Sequence, residues 1–143
     1  VPLQRKYRIL EHYQDMVTIH LESFAYVKGK IVNYDNGSGF VFDCRGLSNP
    51  VTVAELSELT GLDPEVIEFF NNDDEAVAFA GDCTNIIRNS LPMMRRKGIV
   101  NIHAAFGCVG GHHRSVWSAE RVALMLSAMP GVEVSVKHTA LEE

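Results

Sequence analysis

The chain has 143 residues, a size that fits one domain with a core of its own. Its composition, 46% apolar and 22% charged with no low-complexity tract, is that of a folded globular domain and excludes a disordered or fibrous chain. A net charge of -5 repels nucleic acid overall, so RNA binding requires a local basic patch. Three cysteines without a C-x-x-C argue against a disulfide framework and against a structural zinc site, and they point to the reducing cytoplasm. Neither a metal nor a cofactor is expected. No apolar segment is long enough to span a bilayer, and Val1 to Lys6 does not resemble a signal peptide, so no membrane partner is expected either. Opening on Val1 instead of an initiator methionine suggests a processed or excised fragment.

Leu3, Tyr7, Leu10 and Tyr13 fall at helical intervals, so residues 1–15 read as a short surface helix or a linker and residues 16–143 as the domain proper. From Met16 to Tyr26, Val17, Ile19 and Leu21 alternate with Thr18, His20 and Glu22, the period of a strand with one wetter face. Lys28-Gly29-Lys30 and Asp35-Asn36-Gly37-Ser38-Gly39 are rich in turn formers and predict a long loop. Gly39 to Cys44 then reads as a buried strand ending in polar groups. In open parallel sheets ligands lie beyond the carboxyl ends of strands, which brings Asp43, Arg45 and Asn49 into consideration.

Val53, Leu56 and Leu59 keep helical spacing. After Thr60-Gly61-Leu62, Asp63 is a helix cap and Pro64 a first helical residue, predicting a short helix to Phe70. Asn71 to Asp74 is a second cap region. Ala76, Phe79, Ala80, Cys83, Ile86, Ile87, Ser90, Leu91 and Met94 then carry a longer amphipathic helix, with Cys83 a core thiol. Pro92 is expected to kink or weaken its last turn, Arg95-Arg96-Lys97 suit its dipole, and Gly98 ends it. A mostly apolar strand from Ile99 to Phe106 leads into Gly107-Cys108-Val109-Gly110-Gly111-His112-His113-Arg114-Ser115, and a helix from Val116 to Met129 leads out. Pro130-Gly131 stops that helix. Val132, Val134 and Val136 alternate with polar residues in a last strand, at whose end stand Lys137 and His138. The sum is a single α/β domain with a mainly parallel sheet flanked by helices and a strand, glycine-rich loop and helix at its centre.

That loop carries the chemistry. Its glycines let several backbone N–H groups point into one concavity, and the following helix adds unpaired N–H groups and the positive end of its dipole. Arg114 provides a planar fork for phosphate oxygens, and His113 and Ser115 further donors. Cys108 through Ser115 therefore form a candidate phosphate site. It is not a nucleotide loop, because G-x-x-x-x-G-K-[ST] is missing from the sequence. Cys108, Gly111 and Arg114-Ser115 do follow the C-x-x-G-x-x-R-S spacing of cysteine-dependent phosphatases. In that alternative Cys108 is the nucleophile and Asp43 the acid. Against it, Gly107 precedes the cysteine where such enzymes carry a histidine, and the balance favours a domain that is not an enzyme.

The same residues resemble the C-terminal domain of the RapZ family of bacterial RNase adapters, also known as nucleotide-binding proteins of the YvcJ type. The resemblance rests on Glu22-Ser23-Phe24 with Gly29, Phe42-Asp43 with Arg45 and Asn49-Pro50, Leu59-Thr60-Gly61-Leu62-Asp63, and Leu91-Pro92-Met93. It continues through Gly107-Cys108, Gly110-Gly111, His113-Arg114-Ser115-Val116, Ala119-Glu120-Arg121, Lys137-His138 and Leu141-Glu142, in the family's order. The family's Walker-type domain has no counterpart in these residues. What the resemblance implies is a cytoplasmic domain that senses glucosamine 6-phosphate and presents small RNA to an endoribonuclease, with Asp43, Arg45, Asn49 and His138 flanking the sugar. A homo-oligomer is compatible with that reading. Thr139 and Glu143 stand where the family carries basic residues, which leaves Lys137 as a small electrostatic footprint for RNA. Val109 replaces a threonine hydroxyl and His112 a more flexible polar residue.

Overall fold

A computed structural model of the chain describes residues 16–29 and 39–142. The helix or linker expected over residues 1–15 and most of the loop before Gly39 lie outside the described residues. Among the described residues there are four strands, β1 (Val17–Ala25), β2 (Gly39–Asp43), β3 (Asn101–Cys108) and β4 (Val132–His138). They form one sheet in the order β2-β3-β1-β4 with every pair parallel. Three helices complete the domain: α1 (Pro64–Asn71), α2 (Asp74–Arg96) and α3 (Arg114–Ser127). None of them is long and apolar enough to cross a membrane.

The strand alternation sorts the two faces of the sheet. Val17, Ile19 and Leu21 of β1 and Ile102, Ala104 and Phe106 of β3 are buried, and α3 crosses β1, β3 and β4 on that side. Outside α3 lies α2, and α1 closes the layer where Phe70 stacks on Trp117 at 5.1 Å between ring centroids. Trp117 buries its indole completely and still satisfies its N–H, which donates to Asn71 Oδ1 at 3.2 Å. The opposite face holds Thr18, His20, Glu22 and His103, all half-buried. There His20 stacks on His103 at 4.8 Å, and its ring nitrogens meet Ser135 Oγ and Asn101 Oδ1, each at 2.9 Å.

Local signals account for the element ends. Asp73 Oδ1 accepts from the N–H groups of Glu75 and Ala76, which starts α2. At its other end Gly98, at φ +73, donates to Arg95 and Ile99 donates to Met94, the paired bonds of a Schellman stop. Pro92 does not end the helix, which runs through it to Arg96. Asp63 precedes α1 as expected, but its carboxylate caps nothing there and instead accepts from Thr60 N–H at 2.7 Å, tightening the preceding turn. The strand expected to be buried from Gly39 is an edge strand: Val41 is 55% exposed, and only Phe40 and Phe42 face the core. Val53, Leu56 and Leu59 lie in consecutive turns after a single 3-10 turn (Pro50–Thr52), not in an α-helix.

The stacked pair gives a stability test. Trp117→Ala is expected to cost about 3–5 kcal/mol in urea unfolding, from lost burial and the cavity left under α1. A cost below about 1 kcal/mol would show that α1 is not held by this contact.

Candidate functional site

All four strands end on the same side, so the segments after Ala25, Asp43, Cys108 and His138 gather at one edge. The glycine loop after β3 occupies that edge directly before α3. Its path is enforced by packing. A side chain at Gly107 would bring a Cβ within 2.5 Å of the rings of Phe24 and Tyr26. Gly111 adopts φ +72, and a Cβ there would meet Ala140 Cβ at 2.6 Å and Ala25 Cβ at 2.9 Å. Gly110, by contrast, has nothing within 4 Å of the Cβ position and borders open space.

The loop's carbonyls are turned inward. Val109 accepts from Val27 N–H at 3.2 Å, His112 from Gly61 N–H at 2.8 Å, and His113 from Trp117 N–H at 2.9 Å. Among the described residues no protein acceptor takes the N–H groups of Gly110, Gly111, His112, His113 or Arg114. These amides, at the positive end of α3, are what a bound anion requires. They border a cavity of about 360 Å³ lined by Asn49, Val51, Ser57 and the loop from Cys108 to Arg114.

The side chains divide into those that face this cavity and those that brace it. Arg114 is 7% exposed, and its Nη1 donates to the carbonyls of Arg45 at 2.7 Å and Leu47 at 3.4 Å. The guanidinium is thus fixed in place between α3 and the segment after β2, and its Nε and Nη2 have no hydrogen-bond partner among the described residues. Cys108 Sγ lies 3.1 Å from Ser115 Oγ and 3.4 Å from Ser115 N, so both groups are buried and bonded to each other. His112 is exposed at the mouth. His113 borders the cavity, but its Nε2 is 3.2 Å from the Leu56 carbonyl, and burial holds its pKa below the usual histidine value. Its ring is a neutral strut between α3 and the turn before Leu59.

Of the four sugar-flanking candidates, only Asn49 lines the cavity, with its Oδ1 accepting from Val51 N–H at 3.2 Å. Asp43 and Arg45 are locked to one another by bonds of 2.9 Å from Nε to Oδ1 and 2.8 Å from Nη2 to Oδ2. The same guanidinium lies over the Tyr26 ring, 4.0 Å from its centroid. The hydrogen bonds from Arg45 hold the Asp43 carboxyl below its ordinary value, and the more distant Arg114 charge adds to this. Such a carboxylate is a poor proton donor, which removes the acid that a phosphatase mechanism asks of it. His138 is drawn away from the loop into a relay, with Nδ1 at 2.6 Å from Ser23 Oγ and Nε2 at 3.3 Å from Glu120 Oε1.

The opposite wall, Val51 and Ser57, had no signal in the sequence, because both follow β2 in a segment of turns whose path is set by tertiary packing. Gly61 had one. A Cβ there would lie 2.7 Å from Trp117 N and 2.8 Å from the His113 carbonyl, so a glycine in an otherwise ordinary turn marks where the loop is held. Among the described residues no group of three or more histidine, cysteine or acidic side chains is placed to hold a metal ion.

Comparison with known proteins agrees with this architecture. A sequence model of the RapZ C-terminal domain matches residues 17–142. Among curated proteins, the nucleotide-binding protein SPO0713 of Ruegeria pomeroyi is 37% identical over 89% of this chain and 43% of its own length. A nucleotide-binding protein of Tolumonas auensis is 33% identical over 98% of this chain and 47% of its own length. The nucleotide-binding protein NE1849 of Nitrosomonas europaea is 37% identical over 89% and 42% respectively. The chain spans less than half the length of these relatives.

Two measurements test the geometry. Gly110→Ala should melt like the parent, whereas Gly111→Ala should lose about 1–3 kcal/mol through backbone strain and the clash with Ala140. Equal melting of both variants would contradict the assigned path. For His113, the folded-state pKa lies below the free value of 6.5, so the unfolded chain binds the extra proton first. Stability contributed by the neutral ring is full above pH 6.5 and is lost as pH falls through the lower folded value. A urea series across that range should show a shallower acid loss in His113→Gln.

Proposed function

The chain belongs to the RapZ C-terminal domain family, and on that premise we propose that it is a regulatory domain that binds a phosphorylated small molecule in the loop from Cys108 to Ser115. One observation carries the reading: the consecutive N–H groups from Gly110 to Arg114 have no protein acceptor among the described residues and border a cavity at the start of α3. Arg114 supplies the charge, through Nε and Nη2, while its Nη1 keeps the fork in register. Asn49 and Ser57 offer polar contacts to hydroxyl groups, and the exposed side chains of Val51 and Val109 give the cavity an apolar wall. A hexose phosphate of the glucosamine 6-phosphate kind matches both the donors and the volume of about 360 Å³.

Hydrolysis is the weaker alternative. Asp43 is paired with Arg45, which lowers its pKa, and it does not line the cavity, so the acid that this reading assigns is not beside the loop. An aryl phosphate should therefore bind without turnover, and turnover that disappears in Cys108→Ser would overturn the sensor reading. Small-RNA binding, which the family resemblance also implies, rests on Lys137 against a net charge of -5. A gel shift at low salt tests it, and absence of retardation removes that role.

Ligand binding is tested by thermal shift. Glucosamine 6-phosphate at one hundred times its dissociation constant should add about 2.7 kcal/mol, and Arg114→Ala should abolish the shift. Equal shifts with inorganic phosphate at equal concentration would reduce the site to a bare phosphate site, and no shift with either would overturn the proposal.

A further inference from the structure

Of the three cysteines, Cys108 ends β3 and Cys44 directly follows the last residue of its neighbour β2. β2 runs parallel to β3 with Phe42 opposite Phe106 and Asp43 opposite Gly107. The next rung sets Cys44 beside Cys108, and the 2.7 Å bond from Cys44 N–H to the Gly107 carbonyl carries the ladder to that point. The Phe42 and Phe106 rings meet at 5.3 Å on the core face, so the residues two positions further on point to that same side. Both thiols are buried in one cluster beneath α3, Cys44 Sγ lying 3.8 Å from the Phe42 carbonyl and Cys108 Sγ donating to Ser115 Oγ at 3.1 Å. Neighbouring strands lie about 4.8 Å apart, inside the roughly 4.4–6.8 Å span between Cα atoms that a disulfide requires.

We propose that Cys44 and Cys108 are an oxidative modification site, joined as a disulfide by a hydroperoxide, and that this bond shuts the glycine loop to its anion. Cys108 is the one of the two that lines the cavity, and its sulfur lies beside the Ser115 hydroxyl and N–H at 3.1 and 3.4 Å. The thiolate attacks one peroxide oxygen, the O–O bond breaks, and hydroxide leaves and takes up the thiol's proton as water. Cys108 is then a sulfenic acid. The Cys44 sulfur attacks Cys108 Sγ, the S–S bond forms, the S–O bond breaks, and the hydroxyl departs with the Cys44 proton as a second water. Two thiols have lost two electrons and one hydroperoxide has gained them. Burial raises the thiol pKa of Cys44, which disfavours it for the first attack; its role as the second sulfur follows from its place beside Cys108 on the neighbouring strand. Cys83 lies in α2, away from both strand ends, and its thiol is pushed up to about 12 by burial, so it is the bystander. Once bonded to Cys44, Cys108 Sγ has no proton left to donate to the Ser115 hydroxyl, and the first residue of the loop is pulled toward β2.

The bond itself is tested by mass. The full chain is treated with hydrogen peroxide, denatured, alkylated and weighed. The expected product has lost two hydrogens and carries one alkyl group, on Cys83, with a peptide linking Cys44 to Cys108 and reversal by dithiothreitol. Cys83→Ser should form the same bond, whereas Cys44→Ser, or Cys44→Ala where serine disturbs folding, should instead carry Cys108 on to sulfinic acid. Three alkylated cysteines after oxidation, a link through Cys83, or equally fast over-oxidation of Cys108 with and without Cys44 would each overturn the proposal. Closure of the loop rests on the ligand reading above and is followed separately, by the thermal shift that inorganic phosphate gives. It should vanish on oxidation, return with dithiothreitol and persist in Cys44→Ser. A shift that survives complete disulfide formation would overturn the closure. If the disulfide forms while the reduced protein shifts with neither inorganic phosphate nor glucosamine 6-phosphate, the ligand reading fails and the modification site stands.

Discussion

In the loop between Cys108 and Ser115 the carbonyls of Val109, His112 and His113 are taken by protein donors, while the N–H groups from Gly110 to Arg114 meet no protein acceptor among the described residues. That arrangement is fixed from outside the loop. Val27, Gly61 and Trp117 each donate to one of its carbonyls, and none of these donors belongs to the loop itself. Glycines occur where the surroundings demand it: at Gly107 between two rings, at Gly111 against Ala25 and Ala140, and at Gly61 against the start of α3. A concavity held on three sides in this way is ready before any ligand arrives, so little ordering cost falls on binding.

The layering of the domain follows from the same edge. With strands all parallel and helices collected on one face, a single helix start, that of α3, meets the carboxyl ends of β1, β3 and β4 together. Charged groups around that edge are mostly committed to each other. Asp43 binds Arg45, Arg45 covers Tyr26, and His138 joins Ser23 to Glu120. These pairs brace the rim and leave the cavity to uncommitted amides, two small polar side chains and two valines.

Much of this was legible in the residues. The alternation in Val17–Ala25 and in Val132–His138, the capping signals around Asp63 and Asp73, and the stop at Gly98 all name their elements locally. Glycines flanking a cysteine and an arginine located the loop. What escaped was set by neighbours distant in sequence. Phe40 and Phe42 read as a fully buried strand, yet only the order of strands decides that β2 is an edge and that Val41 meets solvent. Residue type marked Asp43, His113 and His138 as chemistry, whereas each finds a partner in Arg45, Leu56 or Ser23 that spacing alone does not reveal.

Arg114 bridges two regions with one rigid plane: an edge of it is anchored to the carbonyls of Arg45 and Leu47, and the remainder is left to the cavity. A lysine at that position carries equal charge on a single point, and that point has to choose between the two duties. Exchange of one cation for another is therefore not neutral here: it would either loosen the strap after β2 or leave the cradle without its counter-charge.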